Sequence, residues 1–336
     1  MNFTDKRKTQ LGIQSLGDLR RNKTVSGKED ITKRINGPME MDCLTRRWQR
    51  GDTTGILSGS GTGKTSAVLY ILKHILLNNP TGYVAFVSLE MTASEIAEKW
   101  FKATEDYPEI ADRFYIIENY DSEGRSKELT TPDIKLELSK LKDVLDDTLH
   151  AFVIDHFHEI NSCGAMDLNP IAKELKNIAV ELDSHGFILS QTTKGKGVGD
   201  VPVPKDGCYG TSRYEWLMTN IITFFQPLKR VQSECDLPIL GWQYCKIRYK
   251  NATDKVKEGM NYLLRFDFDT EDLLPLTRDE KTKFTMYYEK VLELRQNEEK
   301  FKSFQFDLSE TIRGKDGKDV TLTNIFGGNS NDKNEL

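Results

Sequence analysis

Ile56-Leu57-Ser58-Gly59-Ser60-Gly61-Thr62-Gly63-Lys64-Thr65-Ser66 has the composition of a phosphate cradle. Small residues let consecutive backbone N–H groups turn inward toward α- and β-phosphates. A helix opening at Lys64 would add its positive end. Lys64 can then reach the β/γ oxygens, and the Thr65 hydroxyl can take one Mg²⁺ position. The usual pattern has glycine where Ser58 stands. Serine is small, and Gly59, Gly61 and Gly63 remain, so the loop is expected to close.

Five further positions suit hydrolysis of a bound triphosphate. Asp155 ends the apolar run Phe152-Val153-Ile154 and can hold Mg²⁺ through water. Glu90, in Ser88-Leu89-Glu90-Met91, ends another apolar run and can polarise the attacking water; the plainer reading is an acid favouring a helix N-terminus. Gln191 ends a third run, where its amide can sense the γ-phosphate. Lys246 and Arg248 alternate on one strand face. Either they are a solvated pair, or they form a cationic clamp supplied to a neighbouring copy's nucleotide.

The elements needed to position these groups are legible. Short apolar runs at 55–57, 83–89, 114–117, 151–154, 186–190 and 220–225 predict buried strands. Helical periodicity between them, at 65–77, 92–103, 131–145 and 170–182, predicts a doubly covered, mostly parallel sheet, an α/β fold. Strand pieces at 240–250 and 262–268 predict a β-rich finish. Phe284, Tyr287, Tyr288, Val291, Leu294 and Phe301 recur at helical spacing, so 277–304 reads as one long helix, packed on its own domain or on a partner. Residues 1–36 are polar with one amphipathic patch at Leu11, Ile13, Leu16 and Leu19, and the end from Asp307 is rich in polar residues and glycine.

Composition narrows the class. The 336 residues carry 47 basic and 52 acidic side chains, a net charge of −5, which excludes a globally basic nucleic-acid coat and leaves only local basic loops for that purpose. No apolar run approaches a membrane span, and the charged start shows no apolar secretory segment. Five cysteines without a C-x-x-C spacing fit packing thiols in a reducing, cytoplasmic setting. His156 and His158 flank Asp155 in alternation, so His156 is expected to face away from it, in a packing or hydrogen-bonding role.

These motifs, in this order, resemble the DnaB-type replicative helicases, RecA-like hexameric ATPases. Ser88-Leu89-Glu90-Met91 matches that family's glutamate motif, and Ile154-Asp155-His156-Phe157 stands where it often has Ile-Asp-Tyr-Leu. Leu189-Ser190-Gln191 matches its sensor strand and Lys246-x-Arg248 its finger. Met41-Asp42-Cys43-Leu44-Thr45 with Gly51-Asp52 is similar to its lead-in. The likeness covers about 37–270 and implies a RecA-like motor there, with 1–36 a linker or subunit-contact segment, 271–306 a helical extension and 307–336 a flexible tail. It implies a cytoplasmic protein of a bacterial cell or phage-infected host, a homo-oligomer, in this family a hexamer, with ATP and Mg²⁺ at each junction. Single-stranded DNA would thread the centre, and a primase and a helicase loader come in as further partners. Thirty-six residues cannot hold the family's large N-terminal helical domain, so the compact phage and plasmid members are the nearer likeness.

In this fold, loops after the nucleotide strands meet DNA. The segment 192–205 carries Lys194, Lys196 and Lys205 among glycines, suited to sequence-blind phosphate contact; Lys229 and Arg230 form a second candidate set. Two other readings stay open: a RecA-like recombinase or other non-unwinding ATPase, and a nucleotide-gated DNA-binding loader accessory. If residues 1–36 reach across to a neighbouring copy, deleting them converts hexamers into smaller species in light-scattering chromatography. A hexamer that survives the deletion contradicts this.

Overall fold

The computed structural model describes residues 33–38, 48–119, 128–146, 148–160, 168–192, 199–208, 213–248, 259, 261–307, 311–313 and 319–321. Nine strands make the central sheet: β1 (Thr53–Ser58), β2 (Tyr83–Ser88), β3 (Phe114–Glu118), β4 (Leu149–Asp155), β5 (His185–Gln191), β6 (Asn220–Phe225), β7 (Ile239–Ile247), β8 (Asn261–Asp267) and β9 (Asp272–Pro275). Their order is β9-β8-β7-β6-β1-β5-β4-β2-β3. From β6 to β3 every pairing is parallel, whereas β7, β8 and β9 add on antiparallel. The expected α/β class, mostly parallel with a β-rich finish, is the observed one.

Parallel strands need helical crossovers, and these cover both faces. Helices α1 (Lys64–Asn78) and α2 (Ala93–Ala103) lie on one face, α3 (Thr131–Val144) and α4 (Asn169–Glu181) on the other. The strands alternate accordingly: Ile56, Phe86, Val153 and Leu189 join the first core, Leu57, Val87, Ile154 and Ile188 the second. Helix α1 is apolar nearly all round, with Ala67–Leu72, Ile75 and Leu76 buried, so it sits fully inside the first layer. Its one buried cation, Lys73, is paired with buried Asp272 of β9, tying the helix to the antiparallel edge. Reciprocal capping boxes, Thr92 with Glu95 and Thr130 with Asp133, open α2 and α3.

A short helix, α5 (Tyr214–Leu217), precedes β6. Gly55 is required there, because a Cβ would fall 2.6 Å from the Tyr214 ring. The long helix α6 (Arg278–Asp307) is present, and Phe284, Tyr287, Tyr288 and fully buried Val291 pack on Leu228, Val231 and Leu237. Over that stretch α6 packs on its own domain. The patch at Leu11–Leu19 and the tail from residue 322 lie outside the described residues.

His185, at the start of β5, is fully buried. Its Nδ1 lies 2.8 Å from the Gln49 carbonyl and its Nε2 2.9 Å from the Thr54 hydroxyl, an arrangement satisfied by a neutral ring donating to the one and accepting from the other. Burial depresses its pKa to about 4. The unfolded chain, with a histidine pKa near 6.5, therefore binds the proton first as pH falls, and the native state loses stability between about pH 6.5 and 4. The loss from this group is roughly 3 kcal/mol. Thermal melts across that window should show the decline, with a shallower slope in His185→Gln.

Candidate active site

The parallel register draws the chemical groups together. Ser58 pairs with Gln191 across β1 and β5, and Ser88 pairs with Asp155 across β2 and β4. The carboxyl ends of four neighbouring strands thus line one edge of the sheet. The phosphate loop leaves β1 at that edge. Ser58 is fully buried and donates to the Gly59 carbonyl at 3.2 Å, while Thr62 donates to the same carbonyl at 2.7 Å. The loop therefore closes with serine in the leading position. Gly61 and Gly63 have φ of 68° and 93°, the left-handed region open to glycine. Gly63 caps α1, so Lys64 and Thr65 start the helix and Ser60 stands exposed at the loop tip.

Asp155 ends β4, 3% exposed, and accepts from the Thr65 hydroxyl at 3.1 Å. Burial pushes its carboxyl above the usual range, an effect opposed first by that hydrogen bond. Lys64 is half-buried, and burial lowers its pKa against the attraction of Asp155 and Glu90. A buried carboxylate, a hydroxyl and an ammonium whose burial is offset only in part stand together at this edge. Hard oxygen donors of this kind suit Mg²⁺.

Glu90 follows β2 with its side chain 58% exposed. The helix-capping alternative is taken by other acids: Glu95 accepts from Thr92 N–H and Glu118 from Ala93 N–H. Gln191 ends β5, and its Nε2 is 2.7 Å from His156 Nε2. His156 takes the hydrogen-bonding role expected of it. Strand β4 stops at Asp155 and a 3₁₀ turn follows, so alternation no longer governs, and the ring turns toward Gln191 and Glu90.

Lys246 and Arg248 lie elsewhere. Ile247 pairs with Asn220, and Asn220 pairs with Thr54 near the start of β1. Thr54 and Ser58 are roughly 13 Å apart along a strand, so the chain's own phosphate loop is at the other end of the sheet. Lys246 donates to the Met218 carbonyl at 2.8 Å and to that of Glu215. Burial, then the nearby Arg248 charge, lowers its pKa. Arg248 is exposed.

The DNA candidates are dispersed. Lys194 and Lys196 lie outside the described residues. Lys205 is paired with Glu215 at 2.8 Å, close to Lys246. Arg230 is held in a structural network: it is paired with Glu298 of α6 and with Asp200, a 1%-exposed acid that also accepts from Arg295. Its charge is already balanced within the fold. Lys229 lines a cleft of about 370 Å³ beside the phosphate loop, together with Gln232, Asp236, Leu240, Phe266 and Phe268. Sequence reading missed this cleft. Its walls come from β7, β8 and the turn before them, and no local motif marks them.

No family model matches the chain. Over 196 residues it is 26% identical to the Bacillus subtilis (strain 168) replicative DNA helicase DnaC, a match spanning 50% of this chain and 41% of that protein. The chain thus spans under half the length of that curated relative. Among solved structures it is similar to one determined as an ATPase domain alone, with a TM-score of 0.59 at 16% identity, covering 82% of this chain and all of that one. It is also similar to a DnaB-like replicative helicase described with its interactions with primase, with a TM-score of 0.61 at 17% identity, covering 79% and 67%. The chain shares the fold of these two solved structures. Among the described residues, no helix is long and apolar enough to cross a membrane.

Because Asp155 and Glu90 oppose the burial cost of Lys64 only in part, Lys64→Ala should separate binding from folding. Affinity for a fluorescent ATP analogue with Mg²⁺ should fall at least about 100-fold, the loss of one buried charge-assisted contact. The melting temperature of the ligand-free protein should hold or rise. A variant that binds nucleotide as the parent does contradicts the assignment.

Proposed function

We propose that this chain is an ATP-driven, ring-forming translocase on single-stranded DNA that unwinds duplex DNA during replication, hydrolysing ATP at the junction between copies. The observation that carries the reading is the separation of the two halves of the chemistry. Lys64, Thr65, Glu90, Asp155 and Gln191 gather at one edge of the sheet, while Lys246 and Arg248 lie at the opposite edge, Arg248 exposed there. A cation there cannot serve its own nucleotide, and a head-to-tail arrangement of copies brings it to the next one.

In this reading the loop residues Ser58–Ser66 enclose the phosphates, with Lys64 on the β/γ oxygens. Thr65 and Asp155 would hold Mg²⁺, which neutralises charge on the transferred phosphoryl group. Glu90, exposed at the rim, orients water and takes its proton. Gln191 meets the γ-phosphate and is followed directly in sequence by the segment bearing Lys194 and Lys196, so loss of the phosphate is felt where DNA is gripped. Lys205 adds sequence-blind attraction. Lys246 and Arg248 complete the neighbouring site, which makes hydrolysis conditional on assembly. The cleft bounded by Phe266, Phe268 and Leu240 adjoins the loop and would accept the nucleobase, with Lys229 at its edge. A primase and a helicase loader are further partners in this reading.

Strand displacement on forks bearing a 5′ or a 3′ single-stranded tail tests the proposal. ATP-dependent unwinding of the 5′-tailed fork, lost in Lys64→Ala, is the expected result. DNA-stimulated hydrolysis without displacement of either fork, with filaments coating the DNA, would support the recombinase-like reading instead. Hydrolysis at background even with DNA would support the loader accessory.

A further inference from the structure

His156 occupies a place to which the proposed chemistry assigns no role. In the sheet, β4 lies between β5 and β2. The first residue beyond the end of β4 is therefore flanked by the end of β5 and the exit from β2, where Gln191 and Glu90 stand. The His156 side chain is 3% exposed, and its Nε2 lies 2.7 Å from Gln191 Nε2 and 3.5 Å from Glu90 Oε2. Its Nδ1 is buried and makes no hydrogen bond among the described residues. The ring is fixed from behind by the edge of His158, at 5.4 Å between centroids, and fully buried Phe157 comes next in the chain. One nitrogen, Nε2, thus stands between the group read as the general base and the group read as the phosphate sensor.

One nitrogen cannot satisfy both neighbours alike. If Nε2 carries the proton, it donates to the Glu90 carboxylate, and Gln191 must present its carbonyl oxygen toward the ring. If Nε2 is bare, it accepts from the Gln191 amide, and its lone pair faces the Glu90 carboxylate, which then turns away. The Gln191 amide and the Glu90 carboxylate therefore share one nitrogen, and the orientation of the amide bears on where the carboxylate rests. A γ-phosphate that draws on the Gln191 amide changes the contact that amide makes with Nε2, and the change reaches Glu90 through that shared contact.

We propose that His156 is a positioning residue that couples Gln191 to Glu90, so that the base is aimed at water only when the sensor holds a γ-phosphate. This rests on the proposed ATPase function and adds to it a residue and a link.

The test uses two replacements of similar size in the full chain, with Glu90→Gln as a control. His156→Phe keeps the ring volume and the contact with His158 but removes both nitrogens. His156→Gln restores one amide at about the reach of Nε2. DNA-stimulated hydrolysis is measured alongside affinity for a fluorescent ATP analogue. His156→Phe should lower kcat by about 10- to 100-fold, the cost of a misaimed reacting group, with KM and analogue affinity near those of the parent. His156→Gln should recover most of the loss. Adding Gln191→Ala to His156→Phe should slow hydrolysis much less than Gln191→Ala does alone. Parental kcat in His156→Phe overturns the coupling, as do equal losses in the Phe and Gln variants or additive losses with Gln191→Ala. If Glu90→Gln hydrolyses ATP as the parent does, the functional reading itself fails, which is distinct from a dead Glu90→Gln beside an unimpaired His156→Phe.

Discussion

The parallel pairing of β1, β5, β4 and β2 is the constraint on which the site depends. It sets Ser58 beside Gln191 and Ser88 beside Asp155, so four strands end together and their next residues share one small volume. A one-residue slip in any pair would reverse the facing of that strand. The slip is opposed by two cores, because alternate residues of each strand are buried against helices on opposite faces. Site geometry and core packing are thus the same restraint seen from two directions.

Electrostatics at that edge is left incomplete by the chain alone. Asp155 is buried with its carboxyl pushed toward protonation, and Lys64 is half-buried with its ammonium pushed toward neutrality. Each group carries a desolvation cost that its neighbours offset only in part. In the proposed reading, a metal-bound triphosphate would bring charges of both signs. The cations Lys246 and Arg248 lie at the far edge. The antiparallel turn-back of β7 against β6 carries them there, and the same turn-back helps wall the cleft beside the phosphate loop.

Much of this was legible in the sequence because its determinants are local. A phosphate loop is a run of small residues between a strand and a helix, and Asp155, Glu90 and Gln191 each close an apolar run. Short apolar runs and helical patterns located the sheet and its covering helices without any long-range information. Three features escaped for the opposite reason. The cleft is assembled from Lys229, Leu240, Phe266 and Phe268, brought together only by antiparallel pairing. Arg230 reads in the sequence as a DNA candidate, and its pairing with buried Asp200 and with Glu298 of α6 is set by distant parts of the chain. His156 was assigned a facing by strand alternation, which ceases one residue earlier, at Asp155.

The central claim is that each active site is divided between two copies of this chain. Lys64→Ala spoils the loop and keeps the finger; Arg248→Ala keeps the loop and spoils the finger. Each preparation alone should be nearly inactive in DNA-stimulated ATP hydrolysis. Mixed in equal amounts under conditions that permit exchange of copies, they should regain up to about a quarter of parental activity, the share of junctions joining an intact loop to an intact finger. A mixture that stays as inactive as its components at every ratio, despite demonstrated exchange, would contradict the divided site.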